Sequence, residues 1–248
     1  MTSPSSQPLH GKTVLITGAA HRVGKMLALA VAQAGGDVAL HYAHAAEAAQ
    51  QTAEELRALG ARVHLLQADL TDAKAAQTLI ARAWEKAGAL YALVNNAAIF
   101  ENLTWETTDL AAWERHLRLN LTAPFLLSQA FARRLPPEQH GRIVNILDWR
   151  ALRPGADHLP YTVSKAGLAA LTQSLAVAFA PRITVNGIAL GAVLPPADGQ
   201  PAPKVLHATP ISRWATPEEV GEVLRFLLAG PAYITGEIIH LDGGRHLI

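Results

Sequence analysis

Residues 142–167 read RIVNILDWRALRPGADHLPYTVSKAG. The first part, Arg142 to Leu147, is rich in apolar and β-branched side chains, which is typical of a buried parallel strand. Pro154 and Gly155 break this pattern, and a helical sequence starts after Pro160. The stretch therefore predicts a central strand, a loop and a helix, which is the repeating unit of a parallel α/β sheet.

The remainder of the chain alternates short apolar runs with longer helical patterns in the same way. Such alternation predicts βαβ units with right-handed crossovers. We therefore expect a single-domain α/β fold, with a doubly wound parallel sheet of about seven strands and helices on both faces. The other predicted strands are 13–17, 37–42, 62–67, 90–95, 182–188 and 237–241, and the other predicted helices are 23–34, 45–59, 72–86, 109–136 and 217–228. Thr108 or Asp109 is expected to cap the long helix.

Composition limits the class of protein. The 248 residues are 50% hydrophobic, which is enough for one large core over residues 11–248. Residues 1–10 are polar and rich in Pro and Ser, so they are expected to form a flexible tail and not a signal peptide. Lys plus Arg number 21 against 20 acidic residues, and aromatics make up 6%, so no nucleic-acid partner is expected.

Membrane and metal classes are also disfavoured. No run approaches 18 apolar residues, so the sequence predicts a soluble, cytoplasmic protein with no membrane partner. The chain has no cysteine and no HExxH or comparable histidine cluster, so no metal site is expected.

A Pro-rich segment at residues 190–216 interrupts the alternation. Six of the 15 prolines lie between Pro195 and Pro217, without clear periodicity. A connection this long in a compact domain is usually functional or mobile. We interpret it as a lid over a substrate, with a plain surface loop as the alternative.

Tyr161 and Lys165 are the reactive side chains of the central stretch. Four residues apart in a helix, they project from one face, where the lysine ammonium can lower the pKa of the phenol from its free value of about 10. A tyrosine shifted in this way is a usable acid near neutral pH. Asp148 ends the preceding strand, at the edge where open parallel sheets bind their ligands.

A glycine-rich turn follows the first strand. Residues 17–24 read TGAAHRVG and open a helix, the context in which glycines let a backbone approach a pyrophosphate. A Walker loop needs four residues between its glycines and Lys-Ser/Thr after them. Here five residues separate Gly18 from Gly24, and Lys25-Met26 follows, so nucleoside triphosphate hydrolysis is set aside.

The second strand indicates which dinucleotide binds. An NAD site needs Asp or Glu near the end of this strand, but residues 41–44 read HYAH. With His21 and Arg22 in the turn, the pocket is rich in donors and suits the 2′-phosphate of NADP. NADP(H) is therefore the predicted cofactor, with His41, Tyr42 and His44 among its contacts. For His44, an ordinary surface position is the alternative.

These motifs resemble those of the short-chain dehydrogenase/reductase family over nearly the whole chain. The shared residues are the 17–24 turn, Asp69-Leu70, NNAA at 95–98, Asn120, Tyr161, Lys165, Asn186 and DGG at 242–244. The resemblance implies a Rossmann fold in which Tyr161 donates the proton and Lys165 binds the nicotinamide ribose and tunes Tyr161. It also implies that Asn120 supports a water relay.

The resemblance further implies the remaining cofactor contacts. The turn residues Gly18, Val23 and Gly24 would face the pyrophosphate. Asp69 and Leu70 would hold the adenine. The segment Asn96, Ala97 and Ala98 would flank the ribose and nicotinamide.

Two departures from the family pattern are informative. Arg22 replaces the central glycine of the turn, and Asp148 replaces the catalytic serine expected 13 residues before the tyrosine. No serine or threonine lies between Gln129 and Pro160 that could substitute. An ionised carboxylate repels the charge that develops on a ketone oxygen, but it accepts hydrogen bonds from a substrate with N–H donors. Asp148 thus indicates a substrate protonated on a ring nitrogen.

This combination resembles the pteridine reductase branch of the family. Those enzymes likewise have Arg in the turn, His-Tyr after the second strand, Asp in place of Ser, and a Phe after the Asn-Asn-Ala segment, here Phe100. The resemblance implies that Phe100 stacks on a pterin and that Arg22 bridges pterin and pyrophosphate. Predicted substrate contacts are Arg22, Ala98, Phe100, Asp148 and Tyr161, and the predicted reaction is NADPH-dependent reduction of a dihydropterin or dihydrofolate.

Other interpretations remain open at this point. The protein could reduce a different carbonyl or imine, or it could be an NADP(H)-binding regulator without turnover, which the retention of Tyr161 and Lys165 argues against. It could also be a structural subunit of an oligomer. The family resemblance implies a homotetramer formed through the long helix and the Tyr-Lys helix, whose small residues permit close packing.

Overall fold

The sheet has seven parallel strands in the order β3-β2-β1-β4-β5-β6-β7. The computed structural model describes residues 7–195 and 203–248. The strands are β1 (Thr13–Ile16), β2 (Asp37–Tyr42), β3 (Val63–Gln67), β4 (Ala92–Asn95), β5 (Gly141–Asp148), β6 (Ile183–Leu190) and β7 (Ile238–Leu241). The predicted seven-stranded, doubly wound sheet is confirmed.

Helices cover both faces of this sheet. They are α1 (Arg22–Gln33), α2 (Ala46–Ala58), α3 (Ala73–Ala87), α4 (Leu110–Leu117), α5 (Ala123–Arg134), α6 (Leu159–Phe179), α7 (Pro203–His207) and α8 (Pro217–Ala229). In β1, the side chains of Val14 and Ile16 join the core under α1, α2 and α8, whereas Leu15 joins the core under α3, α5 and α6. Apolar runs in the strands are therefore explained by burial on both faces.

The strand order reverses between β1 and β4, because the chain builds β1 to β3 in one direction and β4 to β7 in the other. At such a switch point the loops leaving the two strands diverge and open a crevice. The glycine-rich turn after β1 and the Asn-Ala segment after β4 line it. The carboxyl end of β5, next to β4, extends the crevice toward α6.

The long helix predicted from Asp109 to Pro136 is interrupted. Asp109 caps it by accepting a hydrogen bond from the Ala112 N–H (2.7 Å), but a π-helical turn at Arg118–Thr122 separates α4 from α5. A π turn inserts one extra residue into a helix and is common at functional sites. The apolar periodicity passes through it nearly unchanged, which is why the sequence predicts one helix.

The predicted boundary of the tail needs correction, whereas the lid at residues 190–216 stays a prediction. Leu9 is fully buried, and its N–H donates to the carbonyl of Ala34 (3.0 Å), so this residue belongs to the core and not to a flexible tail. Residues 1–6 lie outside the described residues. In the 190–216 segment, Ala192 and Val193 are buried and 203–207 form α7, while 196–202 also lie outside the described part.

Across the described residues, none of the helices combines the length and the apolar character that a membrane crossing requires.

Candidate active site

Asp148 and Tyr161 are in contact at the carboxyl end of β5. Asp148 is the last residue of the strand and Tyr161 lies in the first turn of α6, 13 residues later. The Tyr161 hydroxyl donates to Oδ2 of Asp148 (3.2 Å), and Oδ1 accepts from the Arg150 N–H (2.9 Å). The Tyr161 side chain is buried, so the pair forms a desolvated acid–acid contact in the predicted catalytic position.

Burial raises the pKa of Asp148 and, with the Asp148 charge adding to the effect, raises the pKa of Tyr161 well above its usual range. The pKa of each group therefore depends on the protonation state of the other. The expectation that Lys165 lowers the pKa of Tyr161 is wrong for the protein alone. Burial and then the Asp148 carboxylate raise that pKa, and the Lys165 Nζ lies 5.8 Å from the Tyr161 ring centroid.

Lys165 lies beneath the tyrosine with its ammonium in the interior. Its Nζ donates to the carbonyl of Ile146 (2.6 Å), one of the three bonds that an ammonium can make. Burial lowers the pKa of Lys165 to about 8, partly opposed by the charge of Asp148. Such a group is suited to hold a hydroxyl-bearing ligand, because further bonds would satisfy its remaining donors.

Asn120 occupies the π-helical turn and is fully buried. Its amide donates to the carbonyl of Ile99 (3.1 Å) and to Oγ of Ser164 (3.0 Å), while Oδ1 accepts from the Ile99 N–H (3.0 Å). Both amide hydrogens are therefore used within the protein. A water relay through Asn120 would have to use its Oδ1 or its backbone.

Phe100 lies next to Tyr161 of the reactive pair. Its ring stacks on His158 (centroids 4.0 Å apart) and meets the Tyr161 ring edge-on at 4.7 Å. The side chain is 55% exposed, so a large aromatic surface next to Tyr161 faces solvent. A planar ligand could cover that surface.

The glycine-rich turn is fixed by hydrogen bonds to the segment after β4. Oγ1 of Thr17 accepts from the N–H groups of Asn96 (2.9 Å) and Ala97 (3.0 Å), and the Asn96 amide donates to the carbonyls of Thr17 (2.8 Å) and Gly18 (3.1 Å). Asn96 thus positions the turn, and its amide hydrogens are not free for a cofactor. Gly24 packs so tightly that an added Cβ would lie 2.0 Å from the Gly18 carbonyl oxygen.

His41 corrects one predicted phosphate contact. The ring is buried, with Nδ1 accepting from the Gly18 N–H (3.1 Å) and Nε2 3.0 Å from the carbonyl of Ala68. This geometry requires the neutral ring with its hydrogen on Nε2, and burial lowers the pKa of His41 to about 4. Because both nitrogens are used inside the protein, His41 positions the turn and cannot donate to a phosphate.

His21 and Arg22 are exposed at the start of α1. The His21 side chain makes no capping hydrogen bond, and the first turn of the helix has no acidic residue, so the positive end of its dipole faces the crevice. Arg22 adopts a left-handed backbone conformation (φ 53°), where the family pattern has glycine. Its Nη2 donates to the carbonyl of Pro195 (3.0 Å), which follows β6.

The other predicted cofactor residues surround this turn with different degrees of exposure. His44 is exposed beyond the end of β2, Tyr42 and Val23 are half-buried, and Ala98 is exposed in the loop before Phe100. Asp69 is exposed, with Oδ1 accepting from the N–H and Oγ1 of Thr71, whereas the neighbouring Leu70 is buried. Among these side chains, His44, Asp69 and Ala98 are the exposed ones.

Three residues of the site carried no separate signal in the sequence. Thr17 connects the two crevice loops, His158 covers Phe100 from a left-handed conformation (φ 51°), and Arg150 has its Nη1 3.7 Å from Oδ1 of Asp148. A polar residue at a strand end, as at Thr17, could have been singled out. The roles of His158 and Arg150 depend on the path of an irregular loop, which periodicity does not describe.

The site combines a helix N-terminus without acidic side chains, at the switch point of the sheet, with a buried Tyr and Lys. This is the arrangement of dinucleotide-dependent oxidoreductases with a Rossmann fold. Within that class the chain belongs to the short-chain dehydrogenase/reductase family. A family model described as enoyl-(acyl carrier protein) reductase matches residues 18–246.

Relatives extend over almost the full chain. A 3-oxoacyl-[acyl-carrier-protein] reductase of Synechocystis is 33% identical over 240 residues, covering 95% of this chain and 97% of the relative. The structure of FolM alternative dihydrofolate reductase 1 from Brucella canis, complexed with NADP, has a TM-score of 0.89 at 34% identity, covering 97% and 96% of the two chains. A short-chain dehydrogenase from Burkholderia cenocepacia, also with NADP, has a TM-score of 0.90 at 35% identity and covers 96% and 99%.

Proposed function

We propose that this protein is an NADPH-dependent reductase of a pterin, such as a dihydropterin or dihydrofolate. The observation that carries the proposal is the hydrogen bond from Tyr161 to a half-buried carboxylate, Asp148, at the position where the family pattern has serine. A carboxylate binds a substrate with N–H donors more strongly than a serine hydroxyl does, because the carboxylate is charged. The similarity to an alternative dihydrofolate reductase supports the same substrate class.

NADP(H) fits the residues of the crevice. Structural relatives bind NADP, the α1 N-terminus is free of acidic side chains, and the end of β2 carries no carboxylate that would repel a 2′-phosphate. Bound NADPH supplies the hydride for a ring carbon of the substrate. His21, Arg22 and His44 would meet its phosphates.

The remaining contacts to the cofactor follow from the same placement. The backbone of the glycine-rich turn would approach the pyrophosphate, and Asp69 and Leu70 would hold the adenine. Ala97 and Ala98 would leave room beside the nicotinamide ribose. Lys165 would bind the ribose hydroxyls with the donors that Ile146 does not use.

Proton delivery is assigned to the coupled pair. When Asp148 anchors an N–H group of the substrate, the Tyr161 hydroxyl can turn from the carboxylate to a ring nitrogen and donate its proton there. Asp148, which accepts the Tyr161 hydrogen bond and whose pKa is raised by burial, would then help to return a proton from solvent to Tyr161. Phe100 would stack on the pterin ring, and Arg22 would bridge it to the pyrophosphate.

Carbonyl reduction is the second candidate, since curated relatives are 3-oxoacyl reductases. The raised pKa of Asp148 gives this candidate a physical route, because a protonated carboxyl could donate to a carbonyl oxygen as serine does. The two candidates therefore differ in the protonation state of Asp148 during turnover.

The test follows reduced-nicotinamide absorbance with 7,8-dihydrobiopterin, dihydrofolate and a panel of simple and 3-oxoacyl ketones. We expect turnover with the pterins and none with the ketones, and Asp148→Ser should lower pterin turnover and raise ketone turnover. Asp109→Ser, which keeps a side chain able to cap α4, is the matched control and should leave both unchanged. Turnover of ketones alone by the wild type would overturn the proposal in favour of carbonyl reduction.

We further infer a homotetramer. Val163 and Val177 of α6 and Phe125 of α5 are exposed apolar side chains on the two helices through which the family pattern predicts assembly. Light scattering coupled to size exclusion should give a mass of four chains, and a monomer mass would contradict the inference.

A further inference from the structure

A chain of aromatic and cationic side chains extends from the reactive pair to the C-terminal turn. The guanidinium carbon of Arg150 lies 5.8 Å from the Phe100 ring centroid and 4.8 Å from that of Trp149. That of Arg245 lies 4.6 Å from the same Trp149 ring. Two guanidinium groups thus lie against one indole. In this series of contacts Phe100 lies between Tyr161 and Arg150, and Trp149 lies between Arg150 and Arg245.

These two arginines are not neutralised equally. Arg150 contacts Asp157 (Nη2 to Oδ2, 3.1 Å) and lies 3.7 Å from Asp148, while Arg245 donates to the carbonyl of Val205 (2.9 Å). Among the described residues, no carboxylate lies within ion-pair distance of Arg245. Burial and then the charge of Arg150 lower the pKa of Arg245, while the charges of Asp148, Asp157 and Asp242 raise it.

Both arginines have an unused hydrogen-bond donor. Within the described part of the chain, Nε of Arg150 and Nε of Arg245 are both buried and make no hydrogen bond. A guanidinium with free donors in a fixed plane matches a carboxylate or phosphate with two parallel bonds. Arg153, whose Nη1 approaches the carbonyls of Arg245 (3.5 Å) and His246 (3.4 Å), adds a third positive charge beside the terminal turn.

We infer that Arg150 and Arg245, held on Trp149, form a subsite for an anionic group on the tail of the substrate. The inference deepens the proposed function and rests on it: the pterin ring would occupy the Phe100 surface, and its tail would run along Arg150 to Arg245. A carboxylate, as in a folate, and a phosphate, as in a phosphorylated pterin, share the chemistry that this subsite recognises. A neutral tail would gain nothing from it.

The experiment compares three substrates in wild type, Arg245→Gln and Arg245→Lys. They are 7,8-dihydroneopterin, its monophosphate and 7,8-dihydrofolate. We expect Arg245→Gln to lower kcat/KM at least about tenfold for the anionic substrates, with Lys recovering part of the loss. For neutral dihydroneopterin the change should stay within about twofold. Higher salt should reduce the advantage of the anionic substrates.

The preference of the subsite for carboxylate or phosphate is given by which anionic substrate loses more kcat/KM in Arg245→Gln. Arg134→Gln, an exposed arginine at the end of α5, is the control and should leave all three substrates unchanged. An equal loss for neutral and anionic substrates, or no loss for either, would overturn the subsite.

A binding arm separates failure of the subsite from failure of the proposed function. N-(4-aminobenzoyl)-L-glutamate carries the folate tail without the pterin, so calorimetry of its binding does not depend on pterin reduction. Weaker binding by Arg245→Gln, again about tenfold, would support the subsite even if no pterin is turned over. Equal binding by both proteins, or none by the wild type, would refute it.

Discussion

The Tyr161 hydroxyl donates to Oδ2 of Asp148 across 3.2 Å, so the acid expected to protonate the substrate is itself bound to a second acid. Burial, and then the Asp148 carboxylate, raise the pKa of Tyr161, because loss of the phenol proton would leave two negative charges in contact. Burial also raises the pKa of Asp148, and the hydrogen bond from Tyr161 opposes that shift. Substrate binding must therefore break or redirect this bond before the tyrosine can act.

Replacing Tyr161 by Phe should abolish turnover and leave NADPH binding within about twofold of wild type. The substitution removes only the hydroxyl, whose described partner is Asp148, and keeps the ring packed against Phe100. Steady-state kinetics and fluorescence titration of NADPH measure the two effects. Tyr91→Phe is the matched control, because that hydroxyl bonds to the Leu228 carbonyl away from the crevice. Retained turnover in Tyr161→Phe would refute the role of Tyr161.

The pH dependence of kcat/KM should report Asp148. Burial raises its pKa, so the protonated form persists to higher pH than for an ordinary aspartate. Because the carboxylate form anchors the substrate, kcat/KM should rise as the pH rises through that pKa. Asp148→Asn should lower turnover and remove this limb of the profile, whereas Asp109→Asn should keep it. An unchanged limb in Asp148→Asn would assign the titration to another group.

Acid stability should depend on His41. Its pKa is lowered to about 4, so the folded state binds its proton less readily than the unfolded chain, whose histidines titrate near 6.5. The stabilisation is therefore complete above about pH 6.5 and is lost as the pH falls through about 4, by up to about 3 kcal/mol.

His41→Gln tests this directly. Glutamine can accept from Gly18 and donate to Ala68 without titrating, so the free energy of unfolding from urea titrations should fall less between pH 6.5 and 4. His10→Gln, at an exposed histidine, should follow the wild-type curve. Parallel curves for wild type and His41→Gln would show that the buried ring is not the cause.

The contact between α1 and its preceding turn should tolerate no side chain at Gly24. An added Cβ would lie 2.0 Å from the Gly18 oxygen and 2.8 Å from Cα of Ala19, both backbone atoms that cannot move independently. Gly24→Ala should cost about 1–3 kcal/mol of stability and weaken NADPH binding, as thermal unfolding and titration would measure. At Gly155 the nearest atom is the flexible Asp157 carboxylate, so Gly155→Ala should be nearly neutral.

The sequence predicts the strands and the reactive residues well because both have local signals. β-branched runs identify β5 and β6, and the spacing of Tyr161 and Lys165 on a helix fixes their common face. The π-helical turn around Asn120 has no such signal, since one inserted residue barely shifts the apolar pattern.

The sequence predicts the positions of the site residues better than it predicts the orientation of their side chains or their pKa values. His41 looks like a phosphate ligand from its place at the end of β2, but the strand's alternation turns its ring inward to Gly18. Lys165 looks like the group that tunes Tyr161, but burial and the hydrogen-bonded Asp148 carboxylate shift the Tyr161 pKa in the opposite direction. Both errors arise because sequence spacing does not give the burial and distance that set a pKa.

Arg22 should strengthen cofactor binding while it strains the backbone. Its φ of 53° lies in the left-handed region, which costs a non-glycine residue about 1 kcal/mol or more, and the family pattern has glycine there. Arg22→Gly should relieve this strain while losing the bond to the Pro195 carbonyl, so stability should stay within about 1 kcal/mol of wild type. The loss of the guanidinium should raise the Kd of NADPH about tenfold or more, because charge-assisted phosphate contacts are the strong ones. Ser212→Gly is the matched control, since Ser212 has a φ of 55° on the surface and should give strain relief with an unchanged Kd. Unchanged NADPH affinity in Arg22→Gly, measured by titration beside this control, would mean that the turn holds the cofactor through its backbone alone.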